Sequence, residues 1–332
     1  MLPSAGERQA PGVALVPGGR EVRMVGRIRP GGRQARGGRG ERARGTVAAA
    51  PERVALNGRI AEFYDESSGL WEDVWGEHMH HGIYREASPP KSHTAAQVEM
   101  IDEVLKWADV KNVNRMVDVG CGIGGSSRHI IRKYGCTSTG ITLSAVQAAR
   151  ANEITAAAGL GDRGKFIVAD ALDQPFEDNS FDLVWSMESG EHMPDKRKFV
   201  SELLRVCAPG GKIIIVTWCH RVLATEEKEL TPPEKLLLGA VSSVYALPDW
   251  VSAEEYKKEF AALGIQDVRV EDWTADVAPF WTAVLQSALT VKGLRALMSV
   301  GPTTWMGALA IPIMRLGYQT GLIKFNLITV QK

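Results

Sequence analysis

Cysteine is scarce in this chain of 332 residues. The four present, Cys121, Cys136, Cys207 and Cys219, form no C-x-x-C pair and have no histidine at metal-ligand spacing. That pattern argues against a disulfide framework and against a structural zinc site, and it fits reduced thiols in a non-secreted compartment. Long apolar runs are lacking as well. The closest to the ~18 residues of a membrane span is Trp305–Met314, which is short, contains Pro312 and is followed by Arg315. The first fifty residues have no apolar core of the length a secretory signal needs. Net charge is zero, from 39 basic and 39 acidic residues. The distribution is uneven, because residues 1–45 hold ten Arg, no Lys and three acids (Glu7, Glu21, Glu41). The remainder is mildly acidic, so the basic end does not announce a nucleic-acid-binding domain.

Residues 1–50 have neither a helical nor a strand period, are rich in Gly, Arg, Ala and Pro, and close on Thr46-Val47-Ala48-Ala49-Ala50. An Arg-rich, acid-poor leader ending in small residues reads as an organelle transit peptide. Its single serine, Ser4, is fewer than a plastid leader normally carries, which keeps a disordered basic tail as the alternative. A single domain is expected from 52 to 332, with its core at 95–220 and a helical cap at about 221–316. Within it, Phe63, Tyr64, Leu70, Trp71, Val74 and Trp75 recur at helical spacing, as in a helix laid over a pocket. His78, His80 and His81 follow without the i, i+4 spacing or the carboxylate and cysteine set of a metal site. They are expected to make hydrogen bonds or line the pocket, and no metal is expected.

The remainder is organised around RMVDVGCGIGGSSR, residues 115–128. An apolar strand ends in a turn carrying Gly120, Gly122, Gly124 and Gly125, and a helix follows. Such a turn lets backbone approach a ligand closely, and the helix N-terminus offers unpaired N–H groups. Gly120, Gly122 and Gly125 satisfy G-x-G-x-x-G, a weak dinucleotide signal by itself. Asp118 weighs against that reading, since a carboxylate there would repel a pyrophosphate and welcome an ammonium.

Downstream, strands are predicted at 137–143, 164–169, 181–186 and 212–218, with helices at 127–134, 145–158 and 194–206 between them. This alternation implies a doubly wound α/β fold, a mostly parallel seven-stranded sheet binding its ligand at the C-terminal strand ends. Further on, Ser252 with Glu254 and Glu255 reads as a capped helix start, a sixth strand is expected at 266–272, and a last strand at 323–330 is expected to close the sheet. A nicotinamide-binding fold would want an acid about 20 residues past the glycines. Here the second strand ends in Thr142-Leu143-Ser144, with Gln147 one turn into the helix and no carboxylate.

Asp118-x-Gly120-x-Gly122-x-Gly124 resembles motif I of the class I S-adenosylmethionine-dependent methyltransferases, most of which do carry an acid at the end of that second strand. Gly140-Ile141-Thr142-Leu143-Ser144 with Gln147 resembles the branch of cyclopropane fatty acid synthases and small-molecule and quinone C-methyltransferases. In that branch the matching Thr and Gln contact the cofactor's ribose. Asp170-Ala171 and Pro175–Val184 resemble the next two motifs, with Asp170 beside the adenine. The resemblance implies S-adenosylmethionine as methyl donor, held by Tyr64, Asp118, Gly120, Cys121, Gly122, Gly124, Thr142, Leu143, Gln147, Asp170, Ala171 and Ser186.

Three stretches, FYDESSGLWEDVWGEHMHHGIY, VDVGCGIGGSSRHI and WSMESGEHMPDK, together look like the γ-tocopherol C-methyltransferases of plants and algae. That family implies a plastid location, a small lipophilic phenol as substrate, and ring methylation of γ- and δ-tocopherol to α- and β-tocopherol. Carbon methylation of a phenol gains from a base that takes the hydroxyl proton. The candidates are Glu188, Glu191 and His192, with His192 leading because its unperturbed pKa suits the task. The Trp- and Met-rich stretch 277–316 is expected to form a buried cap, or a greasy lid or surface resting peripherally on plastid membrane. An indole alkaloid N-methyltransferase and a noncatalytic S-adenosylmethionine-binding protein are the competing readings.

Overall fold

The computed structural model describes residues 54–62, 65, 72, 76–85, 91–282 and 302–332. The basic leader at 1–50, the aromatic positions Phe63, Tyr64, Leu70, Trp71, Val74 and Trp75, and residues 283–301 of the expected cap lie outside the described residues.

Helix α1, residues 54–62, precedes α2 (His93–Trp107), which starts where the Ser92 hydroxyl accepts from the amide of Ala95. The predicted alternation then runs β1 (Arg115–Val119), α3 (Gly125–Tyr134), β2 (Thr137–Thr142), α4 (Ala145–Ala157), β3 (Gly164–Val168), β4 (Phe181–Met187), α5 (Lys196–Val206) and β5 (Cys207–His220). Caps explain the boundaries. Ser144 accepts from Gln147 N, Asp195 accepts from Lys198 N, and Gly135 ends α3 in the left-handed conformation. Helices α6 (Pro232–Tyr245) and α7 (Ala253–Ala262) each open with a capping box, Thr231 with Glu234 and Ser252 with Glu255. The chain closes with β6 (Arg269–Asp272), α8 (Thr274–Val277), α9 (Pro302–Gln319) and β7 (Ile323–Gln331).

The seven strands lie in the order β3-β2-β1-β4-β5-β7-β6. The first five are parallel, and β7 runs antiparallel to both β5 and β6. The last strand therefore does not close the sheet. It inserts beside β5 and leaves β6 at the edge. Composition accounts for this: β7 is buried along almost its whole length, whereas β6, Arg-Val-Glu-Asp, is four residues long and mostly exposed. Strand β5 is longer than expected because Pro209-Gly210-Gly211 forms an irregularity in it. Cys207 pairs with Phe181, and the register shifts before Lys212 pairs with Leu183.

Helices cover both faces of the sheet. Trp185, Met100, Ile101 and Phe325 pack on one side, and Phe199, Leu203, Tyr256 and Phe260 on the other. Each such fully buried side chain contributes roughly 1.5–3 kcal/mol, so the sheet is a rigid platform for the loops at its C-terminal edge. Among the described residues, no helix is long and apolar enough to cross a membrane.

Candidate active site

The loops after β1, β2, β3 and β4 surround one cavity. At its centre is the glycine turn. Gly120 has φ +82°, and a Cβ there would lie 2.2 Å from the Cβ of Ser189. A Cβ on Gly125 would lie 2.2 Å from the carbonyl oxygen of Glu77. The turn thus has to be bare on two sides, toward the β4 loop and toward the segment at 76–85. Arg128, fully buried, binds that segment through Glu77 (Nε 2.8 Å, Nη2 2.7 Å) and braces the turn through Ile123 O (2.6 Å).

Asp118 sits beneath the turn, 2 % exposed, and accepts from the Ser127 hydroxyl at 2.7 Å. Burial pushes its pKa up from 3.8 to about 6, against the smaller opposing effects of Ser127 and Arg128. A carboxylate so enclosed, bonded to a hydroxyl and lining a cavity, suits a cationic ligand group.

At the other end of the cavity, Thr142 donates to Gln147 Oε1 (2.8 Å) and accepts from Ser144 N (3.2 Å). Asp170 Oδ1 accepts from Leu172 N (2.8 Å) and Oδ2 from Asn57 Nδ2 (3.0 Å). The acid missing from the end of β2 arrives from elsewhere in the chain: the Ser144 hydroxyl donates to Asp65, a residue 79 positions away. Asn57 and Asp65 were not foreseen. The FYDESSG pattern marked the region of Asp65, but no local signal tied either residue to these partners.

Beyond β4 the chain turns sharply. Glu188 has φ +52°, unusual for a residue with a side chain, and its amide donates to Val216 O at 2.7 Å. Its carboxylate accepts from both the amide and the ring of His81, each at 2.6 Å. Because the carboxylate only accepts, the His81 Nδ1 carries the hydrogen. His192, at the end of a short 3-10 turn (Gly190–His192), lines the same cavity. Burial, followed by the Lys196 charge, lowers its pKa to about 3, so it is a neutral imidazole at neutral pH.

The expected site residues divide accordingly. Asp118, Gly120, Cys121, Gly122, Thr142, Leu143, Gln147, Asp170, Ala171, Glu188 and His192 all line the cavity. Tyr64 lies outside the described residues. Gly124 is not on the lining. Its α-carbon abuts the Phe166 ring, 2.6 Å from where a Cβ would sit, and Gly125 and Ser126 line the cavity instead. Ser186 is one layer back, sharing a 2.8 Å hydrogen bond with Ser189 Oγ. Glu191 points away from the cavity and accepts from Thr217 Oγ1 at 2.8 Å, with burial raising its pKa. On that far side, half-buried Lys196 donates to the carbonyls of Gly190 (2.7 Å), Met193 (2.7 Å) and Glu191 (3.2 Å), pinning the turn that carries His192. The three expected acid–base groups therefore separate: Glu188 and His192 face the ligand side, and Glu191 supports the turn from behind.

The histidine segment is pocket wall and anchor. His78 and His80 line the cavity, and Gln97 Nε2 holds their carbonyls at 2.9 and 2.8 Å. Burial lowers the pKa of His78 to about 4 and of His80 to about 3, so both rings are neutral.

A methyltransferase-domain sequence profile matches residues 117–215, the part of the chain that builds this cavity. The chloroplastic tocopherol O-methyltransferase of Arabidopsis thaliana is 53% identical over 296 residues, spanning 86% of this chain and 85% of that protein. The chain belongs to the tocopherol methyltransferase family. Norajmaline N-methyltransferase of Rauvolfia serpentina is 36% identical, over 82% of this chain and 97% of its own length. In fold the chain matches geranyl diphosphate C-methyltransferase from Streptomyces coelicolor A3(2), crystallised with S-adenosyl-L-homocysteine. That match has a TM-score of 0.66 and 21% identity, covering 83% of this chain and 97% of the other.

The family's methyl donor is S-adenosylmethionine, and the residues present suit it. Asp118 would provide a buried negative charge for the methionine ammonium, the glycine turn would leave room for the amino-acid portion, and Thr142, Gln147 and Asp170 would offer hydrogen-bonding groups for ribose and adenine.

Proposed function

We propose that this protein methylates a ring carbon of γ-tocopherol, and of δ-tocopherol, giving α- and β-tocopherol in the plastid. The observation that carries the reading is that one cavity is lined by the buried carboxylate Asp118 together with the acid–base groups Glu188 and His192. The resemblance of 86% of the chain to a tocopherol O-methyltransferase supports the same substrate class. Residues 1–50 would serve as the plastid transit peptide.

S-adenosylmethionine supplies an electrophilic methyl on a sulfonium, so the chemistry asks the protein mainly for placement. Fixing acceptor and donor in line is worth about 7–11 kcal/mol. The glycine turn, Asp118 and the ribose-side groups do this for the donor. For the acceptor, a neutral His192 is a hydrogen-bond acceptor for the ring hydroxyl but a poor holder of a proton, its pKa being about 3. Glu188 is the group that takes the proton, and a well-placed base of this kind contributes ~10²–10⁴-fold. Glu188→Gln should therefore cost turnover that much, and His192→Ala roughly tenfold through lost orientation. A fall of 10² or more on His192→Ala would return the base role to His192.

An isoprenoid tail also needs apolar cover. Val222, Leu236 on α6 and Leu316 on α9 are large apolar side chains exposed in the cap region. Peripheral contact of this region with plastid membrane would let the tail pass between bilayer and site.

The test is to incubate the full-length protein with methyl-labelled S-adenosylmethionine and γ-tocopherol, with an indole alkaloid amine in parallel. Label in α-tocopherol supports the reading. Label in a tocopherol methyl ether would move the reaction to oxygen, and label only in the alkaloid would replace the substrate.

A further inference from the structure

We infer that His81 is a positioning residue for methyl transfer: it fixes both oxygens of Glu188 so that the remaining lone pairs of that carboxylate meet the hydroxyl of a phenolic acceptor. The inference rests on the phenol-methylating reading above.

Three observations carry it. First, the contact is two-pronged. Oε1 accepts from the His81 amide and Oε2 from its Nδ1–H, both at 2.6 Å, the short range of charge-assisted bonds. A carboxylate has about four acceptor positions, so two remain for the cavity that Glu188 lines.

Second, both ends of the contact are held rigidly. Glu188 is in the left-handed region at φ +52°, with its amide tied to Val216 O. A residue with a side chain pays a conformational cost to sit there, which the surrounding structure must over-determine. His81 lies in a segment held on both sides, with Gln97 Nε2 donating to the His80 carbonyl at 2.8 Å before it. Gly82 passes so close to α2 that a Cβ would meet Ala96 Cβ at 2.6 Å, Ile83 N donates to Ala96 O at 3.0 Å, and Tyr84 N donates to Asp276 O at 2.8 Å.

Third, the His81 ring is boxed by aromatic rings. The centroids of Phe280, Trp281, Phe325, Trp218 and Tyr318 lie 4.1 to 6.4 Å from its own. Nε2 has no hydrogen-bond partner among the described residues. A phenylalanine would fill this box without burying polar atoms. A buried imidazole–carboxylate contact is a poor way to obtain stability, so the nitrogen facing Glu188 has another use.

The proton balance is simple. The phenolic O–H breaks and its proton goes to Glu188. The ring carbon forms a bond to the methyl carbon as the methyl–sulfur bond breaks, leaving a neutral thioether. Glu188 returns its proton to the oxygen as the hydrogen on the methylated carbon leaves, so one proton per turnover reaches solvent. Every step needs Glu188 ionised and aimed at the start of the cycle, and the two bonds from His81 supply that.

The titratable groups facing Glu188 are His80 and His81 from the clamped segment, Glu191 and His192 from its own turn, and Tyr318 from α9. Burial drives His80, Glu191, His192 and Tyr318 toward their neutral forms. The two bonds from His81 are therefore the contacts that hold the Glu188 carboxylate in place.

The experiment compares wild type, His81→Phe and His81→Asn. His81→Phe keeps a ring in the box and removes the donor, whereas the amide of His81→Asn restores a donor near the Nδ1 position. The readouts are kcat and KM with γ-tocopherol at neutral pH, the affinity for S-adenosylhomocysteine and the melting temperature. We expect His81→Phe to lower kcat by ~10–100-fold, with KM little changed and the cofactor product bound as in wild type. His81→Asn should regain most of the loss. A loss in which His81→Asn is no better than His81→Phe would overturn the inference, as would unchanged kcat in His81→Phe. Wild type inactive on γ-tocopherol but active on a phytylated hydroquinone would overturn the substrate reading alone, and the same three proteins on that phenol would then decide the role of His81. Transfer only to an amine would overturn both.

Discussion

Replacing Asp118 by asparagine should stabilise the cofactor-free protein while weakening its hold on the cofactor. Asp118 is buried, and its pKa is raised from 3.8 to about 6 by that burial. A group whose folded pKa lies above its unfolded value contributes stability that is fully present below about pH 4 and lost as pH rises through about 6. The shift is about two pKa units at about 1.4 kcal/mol each, so above pH 6 the ionised carboxylate costs the empty site roughly 3 kcal/mol. The amide oxygen introduced by Asp118→Asn could still accept from Ser127, and the new side chain carries no charge. The variant should gain up to roughly 3 kcal/mol at pH 7.5, or several degrees in melting temperature for a domain of this size. The advantage should shrink between pH 6 and pH 4. The cofactor ammonium, in turn, would lose a charge-assisted partner worth about 1.5–3 kcal/mol, so affinity should fall roughly 10- to 150-fold. Thermal melts across pH without ligand, together with calorimetric titration of S-adenosylhomocysteine, measure both. A variant that is less stable than wild type at pH 7.5 and binds the ligand equally well would refute the reasoning.

Two further outcomes follow from the same geometry. Gly125→Ala puts a Cβ 2.2 Å from Glu77 O, forcing the histidine segment off the turn. It should cost about 1–3 kcal/mol of stability, read as a lowered melting temperature, together with a raised KM for S-adenosylmethionine. Asn57→Ala removes the 3.0 Å bond from Asn57 to Asp170, a contact worth about 0.5–1.5 kcal/mol. Calorimetry should show cofactor affinity down by roughly tenfold or less, with the melting temperature of the cofactor-free protein nearly unchanged.

The predicted core elements followed from local chemistry. β1, α3, β2 and α4 appear within a residue or two of their expected bounds because apolar runs, the Ser144 cap and the glycines at 120–125 and 135 act over a few residues. The expected closing strand failed because the segment at 323–330 is buried along nearly its whole length and so takes an interior place, leaving the short, exposed β6 at the edge. The site was half legible. Asp118, Thr142 and Asp170 lie at or just past strand ends and Gln147 one turn into the helix after β2, and because strand ends converge in this architecture all four were placed on the cavity the structure shows. Gly124 against Gly125, and Glu188 against Glu191, were not separable, because which residues of a turn face the ligand depends on how the turn rotates as it leaves the sheet.

By itself, then, the sequence determined the order of strands and helices, the glycine turn that brings backbone to a ligand, and an acid within it of a charge suited to a cation. Those features depend on hydrophobic period, caps and φ preferences, all properties of neighbouring residues. Only the tertiary structure decided that Asp65 reaches Ser144, that Asn57 reaches Asp170 across 113 positions, and that His81 holds Glu188 across 107. Such contacts are fixed by how the N-terminal segment packs over the sheet edge, and no period or motif along the chain records that distance.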